Sequence, residues 1–411
     1  MINKSVYVII ILLTVFFVCS SCKGRKSDSD AVTSDSGTPV SIEIVGLDVS
    51  TPAVGTTSRL LAIGTYSDGT TQNLSDKVIW TSSDTSTVII DGSGLATGVG
   101  LGTCIITATY GAISAHTTLD IMWVARSSGT NEGLTSIAWS GTQFIVVGTR
   151  GTILTSSDGV TWTLQVSGTT NHLSNITWSG VKFAAVGDNG TIITSSDGVT
   201  WTSQVSGTTS PLYGIRWIGT QFIAVGGISD FSSSSDIILT SPDGVTWTVR
   251  ASGMKNSLKS ITGSGTQLVA VGDVFTGLPP YLTDGVILTS SDGVTWTEQL
   301  PHQPYPLRDV VWSGAQFVAV GPEQSLSSAD GVTWTAHNTR YGVFLNGIAW
   351  SGSQFVAVGG NNILGGFNAI LASPDGVTWK SFSGPGNALN AVAWSGTQFV
   401  LVGGGPILTS Q

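Results

Sequence analysis

The side chains able to do chemistry are few and scattered. Four histidines (His116, His172, His302, His337) and four glutamates (Glu43, Glu132, Glu298, Glu323) are spread over 411 residues without the clustering that a metal centre or a general acid/base pair requires. One carboxylate does recur at a fixed place: Asp158, Asp197, Asp243, Asp292, Asp330 and Asp375 each sit in a Ser-x-Asp-Gly-x-Thr-Trp phrase. There the Asp can accept backbone N–H bonds across a turn, the Ser can brace it, the Gly permits the turn and the Trp packs behind. These six therefore read as structural rather than catalytic. Arg126, Arg150, Arg216, Arg250, Arg308 and Arg340 fall at different repeat positions, and no glycine run precedes a helix as a phosphate loop would. The formal net charge is −9 and the basic run at 23–26 is short, which argues against nucleic acid as a partner. Scattered loop Asp residues read as solvated rather than as a calcium site, so neither a metal nor a cofactor is expected.

The elements that must position these residues are strands. Only 10% of the chain is charged, while Gly reaches 53 and Trp 14, a bias toward turn-rich β structure. The phrase Ile137-Ala138-Trp139-Ser140-Gly141-Thr142-Gln143-Phe144 returns with its Trp at Trp178, Trp217, Trp312, Trp350 and Trp394, and once with Gly263 in its place. Spacings of 39, 39, 46, 49, 38 and 44 residues match a four-stranded propeller blade, giving seven units over residues 122–411. In the first unit the four strands are read at 134–139, 144–147, 152–155 and 161–166. The Asp phrase appears six times because the chain stops at the third strand of the last unit, whereas Trp123-Val124-Ala125-Arg126 aligns on the fourth-strand segment beginning at Trp162. Pairing that orphan strand with the final unit would close a seven-bladed β-propeller and remove an exposed edge.

Large insertions follow the second strand of units three, four and six, at 227–236, 273–284 and 360–369, all on one face. Length variation confined to one side marks a recognition face on a repeat scaffold. Its candidate ligand-binding residues are Phe231, Phe275, Tyr281, Tyr305, Arg340, Tyr341 and Phe367, aromatic platforms with a few polar groups that suit a protein or a glycan. The competing reading is that these loops drift in length and their aromatics only cover the blades.

The N-terminal third is different. An apolar run at 6–18 behind Lys4 is too short to span a bilayer and reads as a signal peptide over residues 1–21. The segment Val18-Cys19-Ser20-Ser21-Cys22 resembles a bacterial lipoprotein signal, which implies lipid on Cys22 and a membrane anchor; plain secretion is the alternative. Residues 22–39, rich in Ser, Asp and Gly, form a flexible tether. Residues 40–121 alternate about seven short β-prone runs with turns, as in a small sandwich. Three stretches, at 65–71, 78–83 and 92–98, resemble the bacterial Ig-like domain of group 2. Trp80 is read as a core aromatic and Asp68-Gly69 as a hairpin turn.

The six Asp phrases resemble the Asp-box (BNR repeat) of sialidase-like propellers, one residue shorter between Asp and Trp. Three functions follow as expectations. The favoured one is a noncatalytic, monomeric, lipid-anchored envelope or cell-surface protein of adhesion type, with the Ig-like domain as spacer. A sialidase-like glycoside hydrolase is the second. The third is a periplasmic assembly scaffold, from similarity to propellers of the photosystem II assembly factor type.

Overall fold

The computed structural model describes residues 37–46, 57–100, 102–121, 123–229, 234–250, 254, 256–276, 283–339, 343–361, 367–382 and 387–410. The described chain is all-β apart from two single 3₁₀ turns, Thr149–Gly151 and Asp188–Gly190. Its first part packs two antiparallel sheets. One holds Ser41–Gly46, Thr57–Thr65, Thr71–Asn73, Val88–Ile90 and Leu95–Gly98; the other holds Ile79–Ser82, Gly102–Tyr110 and Ile113–Ile121. Period-two alternation drives this packing: Leu60 and Ala62 point inward from one sheet, and Cys104, Ile106 and Ala108 from the other. Trp80 lies in that core with its indole N–H donating to the Ser75 carbonyl at 2.9 Å. Burial pushes the free Cys104 thiol up, so it packs as a small apolar group. Leu95–Gly98 is a strand because Ala96 fills the inter-sheet core and pulls its neighbours into the ladder.

Seven four-stranded antiparallel sheets follow, with first strands Leu134–Trp139, Leu173–Trp178, Leu212–Trp217, Ser257–Gly263, Asp309–Trp312, Val343–Trp350 and Leu389–Trp394. They are called sheets one to seven. Each is a simple up-and-down meander, except that the fourth strand of sheet seven is Trp123–Arg126, paired antiparallel with Ile407–Ser410 in the register Ile407↔Arg126 to Ser410↔Trp123. Second strands such as Phe144–Gly148 and Phe183–Gly187 are buried on both faces, which explains their unbroken apolar runs. The core lies between sheets: Ile145 and Val147 of sheet one pack with Leu173, Ile176 and Phe183 of sheet two. A single residue, 122, separates the last sandwich strand from Trp123, and one apolar cluster runs from Leu119 and Ile121 through Trp123 to Phe399 and Leu408.

The repeated turns are held by their own side chains. Asp158 Oδ1 accepts N–H bonds from Val160 and Thr161, both 2.8 Å, and a bond from Ser156 Oγ at 3.0 Å. The Trp162 indole N–H donates to the Gly159 carbonyl at 3.0 Å. The same pattern recurs at Asp197, Asp243, Asp292, Asp330 and Asp375, except that at the last the Trp379 indole donates to Ser325 Oγ. Five of the six turns are clasped by the sheet before them: Gln143 Nε2 donates to the Asp197 carbonyl at 2.9 Å, Lys182 Nζ to that of Asp243 at 3.0 Å, Gln221 Nε2 to that of Asp292 at 3.5 Å, Gln316 Nε2 to that of Asp375 at 2.8 Å, and Gln398 Nε2, from sheet seven, to that of Asp158 at 2.7 Å. Sheet seven has no Asp turn, so its preceding glutamine loses its target. Gln354 Nε2 is accordingly buried without a partner among the described residues, and Gly100 of the sandwich stands where the turn would be, its built Cβ position 3.2 Å from Gln354 Oε1.

The backbone N–H groups of Thr200, Thr295 and Thr333, ahead of other donors, hold the carboxyls of Asp197, Asp292 and Asp330 down to about 2; those of Asp158, Asp243 and Asp375 are lowered too. A carboxyl whose folded pKa is depressed contributes stability above its unfolded value of about 3.9 and loses it as pH falls through the folded value. Thermal melts should therefore show a midpoint that drops steeply from about pH 4 to pH 2. A flat profile across that window would contradict this account of the turns.

Candidate functional site: the axial channel

Six of the seven first strands carry a β-bulge at the same place. The register breaks between Leu134 and Ser136, and likewise at Leu173/Asn175, Leu212/Gly214, Leu258/Ser260, Leu345/Gly347 and Leu389/Ala391. A bulge leaves one residue unpaired and re-aims its side chain. The extra residues are Thr135, Ser174, Tyr213, Lys259, Asn346 and Asn390, and Arg308 occupies the equivalent position just before Asp309–Trp312. All seven line one cavity of about 410 Å³ at the start of the first strands. Strand direction places this mouth on the face that carries the insertions.

Six of the seven positions divide into two kinds, and the seventh, Ser174, has its Oγ buried without a partner among the described residues. Thr135 Oγ1 donates to the Leu173 carbonyl at 2.5 Å, Asn346 Nδ2 to that of Leu389 at 2.9 Å, and Asn390 Nδ2 to that of Leu134 at 2.8 Å. These bulge residues tie each sheet to the next. On sheets three to five the same position instead brings a phenol and two cations to the cavity. Lys259 Nζ stands 4.1 Å from the Tyr213 ring centroid, bonds Ser257 Oγ at 2.6 Å and lies 3.5 Å from Asp273 Oδ2; Arg308 Nη1 is 3.9 Å from the same oxygen. Beyond them, Asp309 accepts from Ser260 Oγ at 2.6 Å, from its neighbour Val310 N at 2.8 Å and from Ile348 N at 2.9 Å, joining three sheets. Arg216 faces into the channel with Asp309 as its electrostatic counterpart.

Burial dominates the acid–base chemistry here. It pushes the Asp309 carboxyl up against the opposing effects of its three donors and Arg216, pushes the Tyr213 phenol up, and pulls the Lys259 ammonium down against the attraction of Asp273. Lys259, Arg308 and Arg216 gather here against Asp273, Asp309 and Asp188, whose charge also reaches Tyr213, so cations are concentrated at one place in a chain of net charge −9. Such a site can receive an anionic group, with Lys259 and Arg308 at the rim and Tyr213 as a platform. Among the described residues no group of three or more His, Cys, Asp or Glu could hold a metal ion.

The opposite mouth is aromatic. Trp139, Trp178, Trp217, Trp312, Trp350 and Trp394 surround a second cavity of about 450 Å³. Each of these indoles packs at a tilt or edge-on against the Phe across its hairpin turn, as in the Trp139–Phe144 pair with centroids 4.3 Å apart.

Of the residues singled out in the sequence, Phe231, Tyr281, Arg340, Tyr341 and Cys22 lie outside the described residues. Phe275 ends strand Leu268–Phe275, Tyr305 is half-buried between sheets four and five, and Phe367 opens strand Phe367–Ser373. The insertions differ from the loops that were expected. They prolong the second and third strands as paired ladders, reaching Ser229↔Ser234, Phe275↔Thr283 and Asn361↔Phe367, because backbone pairing satisfies the added N–H and C=O groups. In one such ladder Asp236 has its carboxyl pushed up to about 6, chiefly by burial and secondarily by the charge of Glu298. The channel residues Tyr213, Lys259, Arg216, Asp273 and Asp309 were not selected from sequence. For Tyr213, Lys259 and Arg308 the signal was the column four residues before each repeated Trp, which reads Thr, Ser, Tyr, Lys, Arg, Asn, Asn; Arg216, Asp273 and Asp309 lie outside that column.

Residues 47–120 match the bacterial Ig-like domain (group 2) family. A 74-residue segment is 42% identical to Ice-binding protein 1 of Shewanella frigidimarina, covering 18% of this chain and only 8% of that protein. Among solved structures, the virginiamycin B lyase of Staphylococcus aureus superposes with a TM-score of 0.58 at 9% identity, covering 71% of this chain and 99% of that one. The WD40 β-propeller domain of Doa1 does so with a TM-score of 0.54 at 10% identity, covering 71% and 96%. At these identities the likeness concerns the β-propeller fold alone.

Proposed function

We propose that this chain is a noncatalytic, monomeric surface or envelope protein that captures a protein or glycan through an acidic group of the ligand. Its units are a signal peptide over 1–21, a tether over 22–39 anchored by lipid on Cys22, an Ig-like spacer over 40–121 and a propeller over 122–411. In this reading the seven sheets are blades of a closed ring, the strand Trp123–Arg126 completes the last blade, and the six Asp turns are shortened Asp-boxes with a structural role. The Asn390 and Gln398 bonds from sheet seven to sheet one support closure. The Ig-like family match and the likeness of a 74-residue segment to an ice-binding protein support a place outside the cytoplasm.

The observation that carries the ligand assignment is the replacement of sheet-tying bulge residues by Tyr213, Lys259 and Arg308 on adjacent sheets. Of the carboxylates near them, Asp273 is engaged by Lys259 and Arg308 and Asp309 by three donors. The two-carboxylate machinery of a glycoside hydrolase needs one protonated acid and one free base or nucleophile instead. The test is an array of acidic and neutral glycans and peptides probed with the full chain and with a Lys259→Met/Arg308→Gln variant. Binding to acidic members should fall by about tenfold or more in the variant, the loss of charge-assisted hydrogen bonds worth roughly 1.5–3 kcal/mol each. Specific hydrolysis of a sialoside, or binding indifferent to the variant, would reject this reading.

A further inference from the structure

The ring of indoles has one gap, and the gap is hollow. Sheet four carries Gly263 where the other six carry Trp, and Leu268, its partner in the register, where the others carry Phe. A cavity of about 410 Å³ opens there, bounded by Trp217 and Trp312 on either side, by Leu268 and Ile218, and by Arg216. Its size falls within the range of small-molecule sites, roughly 300–1,000 Å³. The glycine is not demanded by the backbone, for its φ is not positive, and an added Cβ would meet first the flexible Leu268 Cδ2 at 2.7 Å. What glycine provides is space.

We infer that this gap is a binding pocket for a planar aromatic carboxylate of indole size. Six neighbouring sheets show that an indole fits this position of the blade edge, packed within 4.3–4.7 Å of the ring below it. Trp217 and Trp312 offer indole surfaces flanking the pocket, and aromatic rings prefer such offset or edge contacts. Arg216 lines this pocket as well as the channel, and its guanidinium makes no hydrogen bond to a described residue, so its donors are available to a carboxylate. The pocket lies at the aromatic mouth and shares only Arg216 with the cavity that Lys259 and Arg308 line.

Calorimetric titration of the full chain with indole-3-acetate, with 3-methylindole as the neutral control, tests the assignment. Indole-3-acetate should bind at one site with a Kd of about 1 mM or tighter, and 3-methylindole about tenfold more weakly. Arg216→Gln should erase that difference. Gly263→Trp/Leu268→Phe, which restores the pair the other sheets already accommodate, should abolish saturable binding while keeping the thermal unfolding transition. Lys259→Met should leave the affinity within about twofold, which separates this pocket from the acidic-ligand site. A Gly-Gly-Trp peptide binding where its C-terminal amide does not would identify a chain terminus as the source of the acid; preference for indole-3-acetate would identify a free metabolite. Absence of saturation by about 10 mM, or binding unaltered in the Gly263→Trp/Leu268→Phe variant, overturns the pocket. Equal affinity for the neutral control overturns the role of Arg216.

Discussion

Trp123→Ala should destabilise the fold by about 3–5 kcal/mol, the usual cost of emptying a buried aromatic site. Trp123 is 8% exposed, packs edge-on against Phe399 with ring centroids 6.5 Å apart, and belongs to the strand that supplies the outer edge of sheet seven. Its loss therefore removes packing and weakens a four-residue ladder to Ile407–Ser410 whose partner lies at the far end of the chain. Trp123→Phe should cost much less, under about 1.5 kcal/mol, because the indole N–H it deletes has no hydrogen-bond partner among the described residues. Denaturant unfolding of the two variants measures the contrast. Equal stabilities for Trp123→Ala and the parent would mean that the N-terminal strand does not complete sheet seven in solution.

The second large effect is expected at Asp309. Asp309→Ala strands the Ile348 and Val310 N–H groups and the Ser260 hydroxyl in the channel wall and leaves Arg216 without its counter-charge. The expected loss is about 3–5 kcal/mol near neutral pH, typical of removing one member of a buried charged network. The sign of its pH dependence is opposite to that of the Asp turns. A carboxyl whose folded pKa is raised by burial lowers stability as pH climbs through the unfolded value of about 3.9 toward the folded one, so the charge itself is a burden that its donors offset. The parent should thus lose some Asp309-linked stability on leaving acid, and the alanine variant should show no such component. A variant within about 1 kcal/mol of the parent would show that the three sheets do not depend on this carboxylate.

Much of the architecture was legible before any coordinates. Short apolar runs that recur between turn residues marked strands at 134–139 and 144–147, the second unbroken because both of its faces are buried. The recurring Trp and Asp phrases counted the sheets, because each is a local device: a Trp packed against the Phe across its own turn, and an Asp bonded to N–H groups two and three residues ahead. The alignment of Trp123 on Trp162 anticipated a strand without a sheet of its own. The insertions were misjudged in form, since nothing in residues 227–236 distinguishes a loop from a prolonged ladder until both backbones are placed side by side.

The candidate site belongs to the other category. Sequence alone determined that the chain is all-β, where its strands and repeated turns fall, and that sheet four departs from the rest at Gly263. It could not determine that Tyr213, Lys259 and Arg308, separated by 46 and 49 residues, meet across one cavity, or that Arg216 and Asp309 oppose each other inside it. Those relations depend on bulges that, on six of the first strands, turn one unpaired side chain toward a shared cavity, and on the packing of neighbouring sheets that brings those side chains together. Local interactions set the strands and turns, whereas the charges and hollows of the channel exist only between residues that folding brings together.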